Sequence, residues 1–162
     1  MAKYKIGDYV LYGVSGSCEI VDIGTLSFGG PDKIYYSLKP IYDSRSTIYV
    51  PVAKEDDIIR KNLSKKQAGE VLDASKKTKA IKLTVNRDNC DPIIKSGDNE
   101  KLASLIKLLR DMRRENRKSH KGLNIQEERI LADAERVFFS EIATAYSIPM
   151  DECVSTYTEV LD

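Results

Sequence analysis

His120 is the chain's one imidazole, set in a basic stretch, with no second histidine to complete a triad or a zinc site. Adjacent carboxylates occur at Asp56-Asp57 and Glu127-Glu128. Neighbouring side chains diverge, and the second pair suits the positive end of a helix dipole better than acid–base work. Gly13-x-x-Gly16 is too short for a phosphate-binding loop and fits a hairpin turn. Cys18, Cys90 and Cys153 are scattered and odd in number, which fits reduced thiols of a cytosolic protein rather than a disulfide framework or a metal site. These residues point away from catalysis, and no enzyme activity, metal or cofactor is expected. What remains is the chemistry of charge and of β-strand edges.

The net charge of +1 hides a strong asymmetry. Residues 1–59 carry 6 Lys/Arg against 8 Asp/Glu, residues 60–121 carry 18 against 8, and residues 122–162 carry 2 against 9. A block this basic inside a nearly neutral protein is an electrostatic footprint for a polyanion. Two other readings stay open: a solvated Lys-rich helical surface, and an acidic tail that folds back onto the basic block. No run of about 18 apolar residues is present, so no transmembrane helix is expected.

The elements that must carry these charges differ along the chain. The first 60 residues are rich in Val, Ile and Tyr and are cut by turn residues every 8–12 positions, as in a small antiparallel barrel. Strands are expected at Tyr9–Tyr12, Ser17–Ile23, Lys33–Lys39 and Ser46–Val52. From residue 61 the periodicity turns helical. Ser64 with Gln67 reads as a capping box for a helix to about Ala74. Residues 75–91 show no clean period and are expected to form a mobile basic loop, with a short helix from Asp91-Pro92 to Ser96. Asp98 caps a helix with an apolar stripe at Leu102, Leu105, Ile106, Leu109 and Met112, and a basic stripe at Lys107, Arg110, Arg114, Arg117 and Lys121. Asn124 with Glu127 starts the next helix, whose inward face is apolar at Ile130, Leu131, Ala134, Val137, Phe138 and Ile142 but carries Glu141. A last short helix is expected within Met150–Leu161. The fold class is therefore α+β in two domains: an SH3/Tudor-like small antiparallel β-barrel at 1–60 and an all-α bundle of four to five helices at 61–162. The long helices should pack antiparallel across the Gly122 turn.

In that order the chain resembles the CarD family of bacterial transcription regulators. The residues that carry the likeness are Ile6-Gly7-Asp8-Tyr9-Val10-Leu11-Tyr12, Gly16, Tyr35-Tyr36-Ser37-Leu38 and Thr47-Ile48-Tyr49-Val50-Pro51. In the second half they are Lys95-Ser96-Gly97-Asp98, Arg110-Asp111, Gly122-Leu123-Asn124 with Glu127, and Phe138 to Ala143. The resemblance implies a barrel that binds the RNA polymerase β subunit. It also implies a helical domain that contacts promoter DNA near the upstream edge of the transcription bubble and affects open-complex stability. The family setting also implies a cytoplasmic, nucleoid-associated protein, expected as a monomer.

The residues support both contacts. A partly open barrel offers an edge strand that can add a partner strand by main-chain hydrogen bonds. The candidate edge is Thr47-Ile48-Tyr49-Val50, with Thr47, Ile48 and Tyr49 as its contact residues and Thr25, Leu26 and Ser27 beside it; alternatively, Tyr49 only packs on the barrel. For DNA, Lys79, Lys82 and Arg87 supply phosphate-binding charge, and Lys121, Asn124 and Arg129 surround a helix start where backbone N–H groups can receive a phosphate. Each lysine has ordinary solvation as its plain alternative. Many family members place a tryptophan in the basic segment, whereas this chain has no Trp; the matching position is near Leu83, a smaller apolar wedge. Some relatives place arginines on the polymerase-facing edge where Leu26 and Tyr49 stand here. The competing readings are an RNA-binding SH3-like module, disfavoured by the acidic balance of residues 1–59, and a protein-only adaptor without promoter DNA contact.

Overall fold

In the computed structural model, residues 2–162 are described; Met1, the first residue of the expected barrel, lies outside them. Five strands form one antiparallel sheet: β1 (Tyr9–Tyr12), β2 (Gly16–Gly24), β3 (Tyr35–Pro40), β4 (Ile48–Pro51) and β5 (Ile59–Lys61), in the order β4-β3-β2-β1-β5. The sheet curls into a Tudor-like half-barrel around Val10, Cys18, Ile20, Tyr36, Leu38, Val50 and Ile59. Alternation places these residues on one face. A bulge between Ile20 and Asp22 breaks the β2–β3 register and bends β2. A single turn, α1 (Glu55–Ile58), leads from β4 to β5, and β5 closes on β1 rather than on β4.

Five further helices follow: α2 (Lys65–Lys77), α3 (Arg87–Ser96), α4 (Asn99–Lys118), α5 (Ile125–Tyr146) and α6 (Met150–Tyr157). Ser64 and Asn124 each form a full capping box, and Asp98 accepts from the Lys101 amide. The apolar stripes of α4 and α5 meet in one core, with Phe138 and Phe139 edge to face at 5.2 Å. None of the helices is long and apolar enough to cross a membrane, among the described residues.

Three local expectations are corrected. First, α2 runs on to Lys77, because Ser75 is buried and its hydroxyl donates to the Val71 carbonyl. Second, residues 78–86 are an irregular strap fixed to α4. The Ile81 amide donates to the Ser104 carbonyl at 3.2 Å, the Ser104 hydroxyl to the Lys79 carbonyl at 2.5 Å, and Ile81, Leu83 and Val85 pack on the helical core. Helix α3 then begins at Arg87, capped by Asn86, four residues before Asp91. Third, the basic stripe of α4 is not all exposed. Lys107 and Arg110 are buried, each serving carbonyls at a helix end. Lys107 donates to Ser75 and Thr78 at the end of α2, and Arg110 donates to the Thr158 carbonyl at 2.7 Å and to Asp162 at 3.0 Å.

The two domains join along β1–β2 and α5. At Gly16, φ is +74° and an added Cβ would lie 2.3 Å from Ser140 Oγ and 3.3 Å from the Arg136 carbonyl oxygen. Glycine thus serves here both for its backbone angle and for the close approach of β2 to α5. The Ser17 amide donates to Ser140 Oγ at 3.0 Å, and the Ser17 hydroxyl donates to Asn62 Oδ1 at 2.8 Å. Arg136 lies over the Tyr42 ring at 4.4 Å.

Candidate functional site

Of the sheet's two edge strands, β5 is tied to the helical domain through Arg60, and β4 is the open one. The Val52 amide donates to the Ile34 carbonyl at 2.9 Å, and the register pairs Tyr36 with Val50 and Leu38 with Ile48. Hydrogen-bonded pairs alternate in an antiparallel ladder, so the N–H and C=O of Tyr49 point outward, away from β3. Pro51 occupies the next outward position, where its missing N–H removes no ladder bond. Thr47 and Tyr49 are exposed, while Ile48 is half-buried against the barrel core. In the β2–β3 turn Thr25 and Ser27 are exposed and Leu26 is half-buried. The helical domain packs on β1, β2 and the turn between them, which leaves this margin uncovered.

The basic residues gather on the helical domain. Lys79 and Lys82 are exposed on the strap, and Leu83 between Lys82 and Thr84 is half-buried. Arg87 follows at the start of α3, where its guanidinium bridges Asp91 at 3.0 Å and Asp133 of α5 at 2.9 Å. These carboxylates raise the Arg87 pKa further. Arg129 stands one turn before Asp133 on α5, exposed, with Asn124 and Lys121 beyond it at the α4–α5 turn. That turn is braced: the Asn116 carbonyl accepts from the Ser119 and Lys121 amides, and the Asn116 side chain donates to the Gly122 carbonyl at 3.2 Å. The capping box uses the amides of Asn124 and Glu127. The amides of Ile125 and Gln126 are the two first-turn donors left to an external acceptor. Ile125 itself is 73% exposed.

Between the two surfaces lies a charged junction. Glu141 is fully buried, and its carboxylate accepts from Arg60 at 2.5 and 2.8 Å and from the Leu63 amide at 3.1 Å. Arg60 also donates to the Gly97 carbonyl at 2.9 Å, tying β5, α3 and α5 together. No cluster of His, Cys, Asp and Glu able to hold a metal exists among the described residues.

Two family descriptions match the chain. The CarD-like/TRCF RID domain matches residues 4–63, and the CarD C-terminal domain matches residues 63–158. The chain belongs to the CarD family. No curated protein sequence matches it. CarD family proteins are RNA polymerase-interacting transcription factors rather than enzymes.

The CarD-type half-barrel brings Thr25–Ser27 and Thr47–Tyr49 to one region, because the β2–β3 turn carries Phe28 onto Tyr49, their ring centroids 5.6 Å apart. Phe28 was not singled out by sequence, though it is the one phenylalanine outside the run Phe138-Phe139 and follows three small or polar residues and one leucine. Ile125 and Glu141 also escaped as functional positions. A charged residue on an otherwise apolar helical face was the visible signal for Glu141.

Proposed function

We propose that this CarD family protein bridges the RNA polymerase β subunit and promoter DNA near the upstream edge of the transcription bubble, and so changes open-complex stability. The β subunit would add a strand along β4, using the outward N–H and C=O of Tyr49, with Thr25, Leu26, Ser27, Thr47 and Ile48 as side-chain contacts. DNA would lie on the helical surface of Lys79, Lys82, Arg87, Lys121, Asn124 and Arg129, its phosphates taking charge from the side chains and hydrogen bonds from the start of α5. Leu83 would add apolar surface on the strap.

One observation carries the reading: the domain junction consumes β1, β2 and α5 but leaves β4 open and the basic residues of the strap and the α4–α5 turn in solvent. Both surfaces are thus available to two partners at once. The test is a pair of variants. Tyr49→Glu should abolish capture of polymerase and leave DNA affinity unchanged, whereas Lys121→Glu with Arg129→Glu should do the reverse. Polymerase capture unchanged by Tyr49→Glu would contradict the edge contact.

A further inference from the structure

Thr25 to Pro31 and Ser46 to Ala53 carry no charge, although 31% of the chain's residues are charged. The fold brings these two stretches together on the outer face of β3 and β4. There Phe28 is 71% exposed, yet it is held in place. Its ring stands edge to face with Tyr49 at 5.6 Å and tilted to Tyr35 at 6.3 Å. The turn that carries it is closed by the Gly29 amide on the Leu26 carbonyl at 3.2 Å. Gly29 allows the Tyr35 ring to pass underneath, since an added Cβ would lie 2.5 Å from it. Tyr49 is itself 44% exposed. Large aromatic rings fixed in mutual contact and left in water cost solvation that a partner can recover.

We infer that Phe28, Tyr49 and Tyr35 form an aromatic platform that receives an aliphatic side chain from the polymerase strand added along β4. This rests on the proposed edge contact and assigns its chemistry. A strand paired beyond β4 places alternate side chains on the outer face, and the residue opposite Tyr49 lies about 5 Å from it, over the ring of Phe28. The platform residues carry no charge, so the partner side chain they fit is apolar rather than ionic. Rigid aromatic anchors of this kind dominate protein interfaces. Phe28 is then the principal anchor, and the polymerase contact depends little on salt.

The test uses the full-length protein and cognate core RNA polymerase in a binding titration at about 50 and 500 mM salt. Phe28→Ala should keep the wild-type melting curve and DNA affinity, because the side chain is exposed, but lose at least about tenfold in polymerase affinity. Phe28→Tyr should retain most of the affinity, and the wild-type value should change less than about threefold between the two salts. Tyr49→Pro removes one outward N–H together with the ring, so Tyr49→Ala, which removes the ring alone, is set beside it, and the further loss with proline is the control for the edge. A further loss with Tyr49→Pro but none with Phe28→Ala leaves the edge contact standing and overturns the platform. No further loss with Tyr49→Pro overturns the edge contact itself. A loss with Phe28→Ala accompanied by a steep fall of wild-type affinity with salt overturns the apolar partner.

Discussion

Glu141 carries a charge on the inner face of α5, where its neighbours Val137, Phe138 and Ile142 are apolar. It is tolerated because three hydrogen bonds reach its carboxylate: two from Arg60 and one from the Leu63 amide. Arg60 keeps 36% of its side chain in solvent, so loss of the carboxylate strands the guanidinium only in part. Glu141→Gln should therefore destabilise the fold by about 2–3 kcal/mol, at the low end for a broken buried pair, read as a shift in the urea midpoint. The thiols act at the same scale. Burial pushes Cys18 and Cys153 from 9.0 up to about 12. Above pH 9 the unfolded chain loses these protons while the folded chain retains them. Stability thus falls as pH rises from 9 towards 12, with each thiol contributing up to about 1.4 kcal/mol per pH unit. The double variant Cys18→Ala, Cys153→Ala should show a flatter decline between pH 9 and 10.5 in unfolding titrations.

Helix starts and stripes were legible because their signals are local. Ser64, Asp98 and Asn124 each stand three residues before the backbone amide they cap. The strap was not, although Ile81-Lys82-Leu83-Thr84-Val85 alternates apolar and polar residues like a strand. The alternation is too short to stand out inside a Lys-rich segment, and its partner is a helix rather than a sheet. Burial of Lys107 and Arg110 was equally hidden, since a helical stripe does not say which helix ends lie opposite. Lys107 is held by the free carbonyls of α2, and burial lowers its pKa. Lys107→Met should leave the Thr78 carbonyl without a donor and the Ser75 carbonyl with the Thr78 amide alone. We expect about 1–3 kcal/mol of destabilisation, with faster amide exchange at Ile81 as the strap loosens. The order of strands explains why β4 lies at an edge: the last strand pairs back to β1, so β3 keeps β4 as its outer partner. The platform needed the β2–β3 turn to be seen in space.

The molecule as a whole is two domains clamped through β2 and α5. The clamp would matter for the proposed bridging, because two partners held by a loose linker would not transmit force or geometry between them. Gly16→Ala should damage it from both sides, through a positive φ and a Cβ against Ser140. The expected result is a loss of at least about 2 kcal/mol in stability, checked by thermal melting, even though the position touches neither proposed partner surface. The proposed DNA surface should show its electrostatic origin at this scale too. Four neutralised phosphates would give a slope of about −4 in log affinity against log salt. The acidic carboxy-terminal segment does fold back, with Asp162 on Arg110 and within 3.9 Å of Arg114, but Lys79, Lys82, Lys121 and Arg129 stay exposed. The most direct measurement is the lifetime of promoter open complexes formed by cognate polymerase with the protein added. Wild-type protein should change that lifetime, and both Tyr49→Glu and the Lys121→Glu, Arg129→Glu pair should abolish the change while each retains its remaining partner. A lifetime altered as in wild type by either variant would contradict simultaneous contact with both.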